Sequence, residues 1–216
     1  MGQTENTFEN FIITSSNRFA YLVAQEICKS PGSYNPLYLY GPAGVGKTHL
    51  LRAVGEVYQN QHLTGIYLSA NQFAEEMINA IKTGANVEFK EKYCQVDILL
   101  IDRLQYISGK EATQETLYSI IEKRVSDSKQ TVFAGNTAPA QLDLEQGLRS
   151  FMARGLCVEV PTQGIEETAQ IIFQKLKGLG IDCSMGTCKY IALNIPSKVC
   201  QIEGEINKIL ALSKLL

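Results

Sequence analysis

Hydrophobic residues along the chain fall into short continuous runs and into longer stretches with helical spacing. Five short runs, bounded by glycine, proline or polar residues, predict β-strands at residues 36–40, 65–69, 96–101, 130–134 and 156–160. Helical spacing predicts helices at residues 17–28, 71–83, 88–94 and 113–126, and one that follows residues 41–48 and ends near residue 61. Because strands that alternate with helices form parallel sheets covered on both faces, this pattern predicts an α/β fold with a five-stranded parallel sheet.

The pattern changes after Pro161. Three helical segments follow, at residues 166–177, 184–192 and 203–214, with no strand between them. We therefore expect a boundary near residues 162–164. It would separate an α/β subdomain of residues 1–163 from a small helical lid of residues 164–216.

Composition and charge are those of an ordinary globular protein. Apolar residues make up 45% of the chain, which is enough to build a core and excludes a disordered or low-complexity chain. The 20 basic and 22 acidic residues are spread along the chain, so bulk charge does not predict nucleic-acid binding. The apolar runs are too short to span a membrane, and the N-terminus lacks the pattern of a secretory signal. We expect a cytoplasmic protein without membrane insertion.

The six cysteines do not predict a metal site. They contain no C-x2-C pair, and Cys183 and Cys188 lack further ligands nearby, since the only histidines are His49 and His62. Reduced and mostly buried thiols are the expected state in a cytosolic protein. No site built from protein ligands alone is predicted.

A phosphate-binding loop follows the first predicted strand. It matches G-x-x-x-x-G-K-[ST] in full and reads Gly41-Pro42-Ala43-Gly44-Val45-Gly46-Lys47-Thr48. The glycines permit a conformation in which backbone N–H groups surround a phosphate at the start of a helix. Lys47 would contact the β- and γ-phosphates, and the Thr48 hydroxyl would bind Mg²⁺. The motif predicts that ATP or ADP binds here with Mg²⁺.

Two polar residues at the ends of later strands extend this prediction. Asp102 follows the apolar run 96–101 and is expected to hold the Mg²⁺ water shell, although an aspartate can also serve as a turn former there. Asn136 follows the run 130–134. It is expected either to orient a water near the γ-phosphate or to act only as a turn residue.

These residues resemble the AAA+ module of the DnaA family of bacterial replication initiators. The resemblance covers nearly the whole chain from about Thr7, and its matching stretches include Asn10-Phe11, Ser16-Asn17-Arg18-Phe19-Ala20, Gly44-Val45-Gly46-Lys47-Thr48-His49-Leu50, residues 96–102, Leu148-Arg149-Ser150 and Ile202-Glu203-Gly204. It implies an AAA+ P-loop NTPase fold. It also adds Phe11, Asn17 and His49 to the expected nucleotide-binding residues.

The insert at residues 71–93 is more specific to initiators and helicase loaders than the phosphate loop is. In the family, its paired helices hold single-stranded DNA inside an ATP-bound filament. The resemblance therefore implies single-strand contact by Ile78, Lys82 and Lys90, and by Lys110 after the third strand. The alternative is an amphipathic helix with solvated lysines. The helix-turn-helix with which the family reads double-stranded DNA is not in this chain, so we expect either part of a longer protein or a protein without that domain.

Four positions depart from the family's pattern, and all belong to its hydrolytic or switching machinery. Arg103 stands where the family has the acid that polarises the attacking water. Phe151 stands where the family has the arginine that reaches the neighbouring subunit's γ-phosphate, and Gly147 replaces a second arginine four positions earlier. Cys200 replaces the arginine of the lid that senses the nucleotide. Because a cation cannot act as a general base, we expect weak or absent hydrolysis, with Asp102 and Asn136 as the remaining catalytic candidates.

Three functions are consistent with these residues. The first is an initiator-type domain that binds ATP or ADP, assembles with itself or with other DnaA-type subunits, and contacts single-stranded origin DNA and the replicative helicase. The second is a slow ATPase whose catalytic residues have moved, with Arg149 or Arg154 acting as the finger. The third is a non-hydrolysing adaptor, similar to a helicase loader, that binds or caps initiator filaments.

Overall fold

One parallel sheet of five short strands organises the first part of the chain. The structure, a computed structural model, describes residues 6–195, 202, 204–208 and 211. The strands are β1 (Leu37–Tyr40), β2 (Gly65–Ser69), β3 (Ile98–Asp102), β4 (Gln130–Gly135) and β5 (Leu156–Glu159), in the spatial order β2-β3-β4-β1-β5. Every pairing is parallel, which confirms the predicted five-stranded sheet.

The third strand begins two residues later than predicted. Val96 is the C-cap of the preceding helix, and the N–H groups of Asp97 and Ile98 both donate to the carbonyl of Thr64 before the strand pairing starts. The strand β3 is buried along its whole length, as its apolar run predicts for a strand covered on both faces.

Six helices accompany the sheet. They are α1 (Arg18–Lys29), α2 (Lys47–Asn60), α3 (Ala70–Thr83), α4 (Asn86–Gln95), α5 (Glu111–Ser126) and α6 (Gln146–Arg154). The sequence prediction omitted α6, although its buried residues Leu148, Phe151 and Met152 have helical spacing. This helix is short, contains Gly147 and ends at Gly155, so its periodic signal is weak.

The helices α3 and α4 are joined by hydrogen bonds between their side chains. Ser69 and Gln72 close a capping box at the start of α3, and Gly84, at a φ of 72°, ends it. Glu76 on α3 accepts hydrogen bonds from Lys92 at 2.6 Å and from the Tyr93 hydroxyl at 2.7 Å, both on α4. Glu76 therefore links the two helices through both residues of α4.

A fully buried arginine ties α4 and α5 to the sheet. Arg124 on α5 donates to the carbonyls of Tyr93 and Val96, each at 2.7 Å, and to the carbonyl of Gln130 at 2.6 Å. Its Nε donates to the Thr131 hydroxyl at 3.0 Å. Burial lowers the pKa of Arg124 to about 10, and the guanidinium remains charged at neutral pH.

The chain divides into two compact units. The first takes in Met1–Phe11, Phe19–Gly41 and Lys47–Glu159, and the second takes in Ile12–Arg18, Pro42–Gly46 and Val160–Leu216. The second unit thus includes a short arm and part of the phosphate loop in addition to the C-terminal helices. The boundary drawn between residues 163 and 164 from sequence stays a prediction.

The second unit contains the helices α7 (Ile165–Gly178) and α8 (Met185–Asn194). Their buried faces meet in a small apolar core around Ile172, Leu176 and Cys188. Of the third helix predicted at residues 203–214, the described residues 204–208 and 211 are helical. Cys200 lies outside the described residues. Across the described part of the chain, none of the helices has the length and hydropathy needed to cross a bilayer.

Candidate functional site

The loop between β1 and α2 has the conformation that its glycines predict. Gly41, Gly44 and Gly46 have φ angles of 146°, 86° and 104°, which disfavour residues with a side chain. The Gly41 N–H donates to the carbonyl of Gly135 at the end of β4. Strand, loop and helix follow one another as the motif requires, so its structural context is confirmed.

Lys47 occupies the first position of α2 with a buried side chain. It is 7% exposed, and its ammonium donates to the carbonyl of Gly41 at 2.6 Å. Burial lowers the pKa of Lys47 to about 8, while the carboxylate of Asp102 opposes that change. A desolvated cation at a helix N-terminus is strongly attracted to an anion.

Thr48 and Asp102 lie together, as the sequence predicts for a magnesium site. The Thr48 hydroxyl donates to Asp102 Oδ2 at 2.6 Å, and Asp102 is 4% exposed at the end of β3. Hydroxyl and carboxylate oxygens are the ligands that Mg²⁺ prefers. Among the described residues, no group of three or more His, Cys, Asp or Glu side chains is placed to hold a metal ion.

Tyr67 on β2 is a member of this site that the sequence did not indicate. Its hydroxyl donates to Asp102 Oδ2 at 3.1 Å, and the Arg52 guanidinium lies 5.1 Å from the centre of its ring. Burial, and then the nearby Asp102 carboxylate, raise the pKa of Tyr67, so its phenol remains a hydrogen-bond donor. The short apolar run at residues 65–69 marked Tyr67 only as a strand residue.

Arg103 follows Asp102 in an unusual backbone conformation. Its φ is 57° and its ψ is 50°, in the left-handed region, which costs a residue with a side chain about 1 kcal/mol. Its N–H donates to Asp102 Oδ1 at 2.7 Å, and its side chain is exposed. Asn136 is exposed too, directly after β4. The residue that follows Asp102 is therefore a solvent-facing cation.

Helix α6 carries Gly147 and Phe151, neither of them charged, at the two positions where the family has arginines. Phe151 is 7% exposed and packs edge to face on Tyr118, with ring centres 6.0 Å apart. Gly147 lies beside the same tyrosine ring. Phe151 is thus part of the core that α6 forms with α5.

The two arginines nearest to Phe151 differ in their surroundings. Arg149 Nη2 donates to the carbonyls of Leu142 and Leu144, at 3.2 and 3.1 Å, and so holds the loop before α6. Arg154, in the last turn of α6, is exposed.

Phe11 and His49 lie together in the first unit. Their rings meet edge to face with centres 5.1 Å apart, and Phe11 also stacks on Tyr21. His49 Nε2 lies 2.8 Å from the carbonyl of Thr7, which fixes this nitrogen as the donor because a carbonyl can only accept. The resemblance grouped Phe11 and His49 by function, and the structure shows them in contact.

The side chain of Asn17, in the second unit, is engaged in a local turn. It is 2% exposed, accepts from the Thr14 N–H at 2.8 Å and donates to the Ile12 carbonyl at 3.0 Å. These bonds fix the arm that leads to α1. Its predicted contact with nucleotide stays a prediction.

Glu167 anchors the same arm to α7. Although burial alone would raise the pKa of Glu167, hydrogen bonds from Ser15, Ser16 and Gly164 lower it to about 2. Nearby, Gln163 Nε2 donates to the carbonyl of Val45 in the phosphate loop at 3.3 Å. Neither residue was indicated by the sequence, because each acts through a contact between distant segments.

Most of the chain matches a known family of bacterial proteins. The family model of the bacterial DnaA ATPase domain matches residues 3–159. The chromosomal replication initiator protein DnaA of Methylacidiphilum infernorum (isolate V4) is 38% identical over 212 residues, which are 96% of this chain and 47% of that protein. The chain therefore spans about half the length of this relative.

Two solved structures have the same fold. A replication initiator DnaA bound to AMPPCP and single-stranded DNA is 36% identical, with a TM-score of 0.91, and the match covers 96% of this chain and 65% of that one. Domain III of the Thermotoga maritima replication initiation protein DnaA is 32% identical, with a TM-score of 0.90, and the match covers 99% of this chain and 90% of that one. These matches confirm the predicted resemblance and the predicted AAA+ fold.

Proposed function

Since this chain belongs to the family of bacterial DnaA ATPase domains, we propose that it binds ATP or ADP and acts in the initiation of chromosomal replication or in its regulation. One observation carries this proposal: the side chains of Lys47 and Thr48 lie at the start of α2, and Thr48 donates to Asp102, an arrangement that suits a phosphate and Mg²⁺. Support also comes from the similar DnaA structure that holds AMPPCP, a non-hydrolysable ATP analogue.

Each residue of the loop has a role in this proposal. The N–H groups of the loop that contains Gly44, Val45 and Gly46 donate to the phosphates, and Lys47 neutralises the β- and γ-phosphates. Thr48 and Asp102 hold Mg²⁺, which lowers the negative charge of the phosphates when it is bound. Tyr67 keeps the Asp102 carboxylate oriented towards Thr48.

Phe11, Asn17 and His49 contribute to the rest of the nucleotide site. Phe11 and His49 supply flat aromatic ring surface, which favours a base, and their mutual contact restricts both rings. Asn17 acts through the conformation of the arm.

Hydrolysis of the bound ATP is weak or absent in this proposal. Arg103 is an exposed cation at the position of the family's acid, and Asn136 alone cannot deprotonate a water. In an assembly, the buried Phe151 cannot supply the finger that in this family acts on a neighbour's γ-phosphate, a contribution of about 10³ or more in rate. Arg149 and Arg154 are both exposed, and Arg154 is the better candidate for a relocated finger, because Arg149 already donates to the carbonyls of Leu142 and Leu144.

We expect the protein to bind ATP and ADP without appreciable turnover. Isothermal titration measures the affinity, and release of inorganic phosphate measures the turnover. The variant Asp102→Asn is the control, because it removes the carboxylate but keeps the shape of the side chain. Robust phosphate release by the wild type that Asp102→Asn abolishes would contradict weak hydrolysis and favour the slow-ATPase function.

Single-stranded DNA is the second ligand that we propose. Ile78 and Lys82 on α3, Lys90 on α4 and Lys110 before α5 are all exposed. The exposed Ile81 adds apolar surface to the same pair of helices. Apolar side chains beside lysines suit a strand whose bases pack and whose phosphates are neutralised. The DnaA structure that holds single-stranded DNA supports this proposal.

Replacing Lys82 and Lys90 by alanine should weaken binding of a single strand by about 10-fold and reduce the salt dependence of the affinity, because each lysine neutralises about one phosphate. Fluorescence anisotropy with a labelled oligonucleotide, in the presence of ATP and at several salt concentrations, measures both effects. Lys123→Ala is the matched control, because Lys123 is an exposed lysine on α5 that pairs with Asp127. Equal loss in the control and the test variant would show a general effect of charge and refute the site.

A non-hydrolysing adaptor is the second candidate function. The burial of Phe151 favours it, because a subunit without a finger cannot complete a neighbour's catalytic site. Such a subunit would add to one end of an initiator filament and stop hydrolysis there. Its partners would be other DnaA-type subunits and the replicative helicase.

A further inference from the structure

Two cysteines of the second unit, predicted from sequence as separate reduced thiols, are in direct contact. The Sγ atoms of Cys183 and Cys188 lie 3.8 Å apart, and the Cys188 thiol donates its weak hydrogen bond to Cys183. Both are free thiols. Their separation is close to van der Waals contact between sulfur atoms, and the two sulfurs would have to approach by less than about 2 Å to reach the S–S bond length of about 2.05 Å.

The start of α8 is what brings the two thiols together. Ser184 is the N-cap, its hydroxyl accepts from the N–H of Thr187 at 3.1 Å, and its carbonyl accepts from the N–H of Cys188. Cys183 precedes the cap and Cys188 lies in the first turn, which are the two positions that contact each other in a hydrophobic staple. The cap therefore fixes the pair independently of any oxidation.

The two sulfurs differ in their access to solvent. Cys188 is fully buried in the core that contains Ile172 and Leu176, whereas Cys183 is partly exposed. Burial, and then the contact with Cys183, raise the pKa of Cys188 to about 11. A small oxidant in solution thus meets Cys183 first and leaves Cys188 to resolve the product.

We propose that Cys183 and Cys188 are a site of reversible oxidation, at which a hydroperoxide converts the pair of thiols into an intramolecular disulfide. In the first step the peroxide transfers one oxygen atom to Cys183, which gives a sulfenic acid and releases water, or an alcohol if the peroxide is organic. In the second step the Cys188 sulfur attacks the Cys183 sulfur, the S–O bond breaks, and water leaves. Two electrons pass from the two sulfurs to the peroxide, and a thiol reductant reverses the change.

The disulfide would tie the connection between α7 and α8 to the core of the second unit. Cys188 belongs to that core and Cys183 packs against it from the connection, so the bond closes a short loop around Ser184. A covalent link between these residues restricts the unfolded chain and the opening of this turn. The oxidised protein should therefore show slower backbone hydrogen exchange at the start of α8.

Mass spectrometry of the full chain tests the proposal directly. Both cysteines fall in one tryptic peptide, residues 178–189, between Lys177 and Lys189. After treatment with hydrogen peroxide and alkylation, we expect this peptide without alkyl groups and lighter by two hydrogen atoms than its reduced form. Treatment with dithiothreitol before alkylation should restore two alkylation sites.

Variants separate the roles of the two sulfurs. Cys188→Ser should leave a sulfenic acid on Cys183 that dimedone traps, and Cys183→Ser should leave Cys188 unmodified. Cys94→Ser is the matched control, since Cys94 is also partly exposed and should not affect formation of the bond.

The wild-type protein alone is enough to overturn the proposal. If peroxide oxidises Cys94 or Cys157 while the peptide 178–189 still carries two alkyl groups, Cys183 and Cys188 are not a preferred site. A disulfide that joins Cys183 to any cysteine other than Cys188 would overturn it as well.

Discussion

Lys47→Ala should reduce the affinity for ATP and ADP by at least about 100-fold. The ammonium is the main positive charge of the phosphate loop, and each of its charge-assisted hydrogen bonds to a phosphate contributes about 1.5–3 kcal/mol. Two such bonds correspond to a factor of about 10² or more in the dissociation constant. Titration calorimetry on the variant and on the wild type measures the difference.

The same substitution should leave the protein without nucleotide as stable as before, or more stable. Lys47 is 7% exposed, and burial lowers its pKa to about 8, so desolvation of the charged side chain destabilises the folded protein. Thermal melting should show an unchanged or higher Tm without ligand, together with loss of the rise in Tm that saturating ATP gives the wild type.

Lys123→Ala supplies the control, because it removes an exposed lysine from a surface ion pair and should retain the full rise in Tm with ATP. A Lys47→Ala variant that still binds ATP as the wild type does would refute the proposed role of the loop. A variant that melts much earlier without ligand would show that Lys47 acts in folding instead.

The phosphate loop could be predicted because its chemistry is contained in eight consecutive residues. Each glycine has the positive φ that the motif requires, and the flanking strand and helix begin and end within one or two residues of their predicted bounds. Asp102 was predicted for a similar reason, since a parallel strand delivers its last residue to the edge of the sheet where the loop lies.

The parts of the site that were missed depend on contacts between distant segments. Tyr67 meets Asp102 only because β2 pairs with β3 in one particular register. Gln163 meets Val45 across more than a hundred residues of sequence. Such contacts leave no periodic or local signal, because side-chain pairing follows from tertiary structure.

Arg103 and Phe151, in contrast to Tyr67 and Gln163, were both singled out from the sequence. Each was identified as a departure from a family pattern, and the structure then gave its physical setting: an exposed cation after Asp102, and a ring inside the core. Phe151 is the more informative of the two, because a buried aromatic residue at this position is used for packing with Tyr118. Restoring an arginine there would disturb the core as well as add a charge.

Arg124→Met should lower the free energy of unfolding more than Lys47→Ala, Lys123→Ala or Lys129→Met. The guanidinium is fully buried and donates to three backbone carbonyls within 2.7 Å. Methionine fills much of the same volume but leaves those carbonyls without a donor, at a cost of about 3–5 kcal/mol. For a chain of this size, that corresponds to a fall in Tm of about 10 °C, which differential scanning calorimetry measures.

Lys129→Met is the matched control. Lys129 donates to the carbonyls of Cys94 and Gln95 at the end of α4, the helix whose Tyr93 carbonyl accepts from Arg124. Near the surface, water can replace a lost donor, so we expect Lys129→Met to change the free energy of unfolding by about 1 kcal/mol or less.

Arg124 lies where β3 and β4 begin, whereas Asp102 lies where β3 ends, so the folded fraction of Arg124→Met should bind ATP with unchanged affinity. If Arg124→Met and Lys129→Met lower the Tm equally, water reaches the carbonyls around Arg124, and the burial of Arg124 adds nothing to the stability of the protein. If ATP affinity falls together with stability in Arg124→Met alone, the far end of the sheet is coupled to the phosphate site.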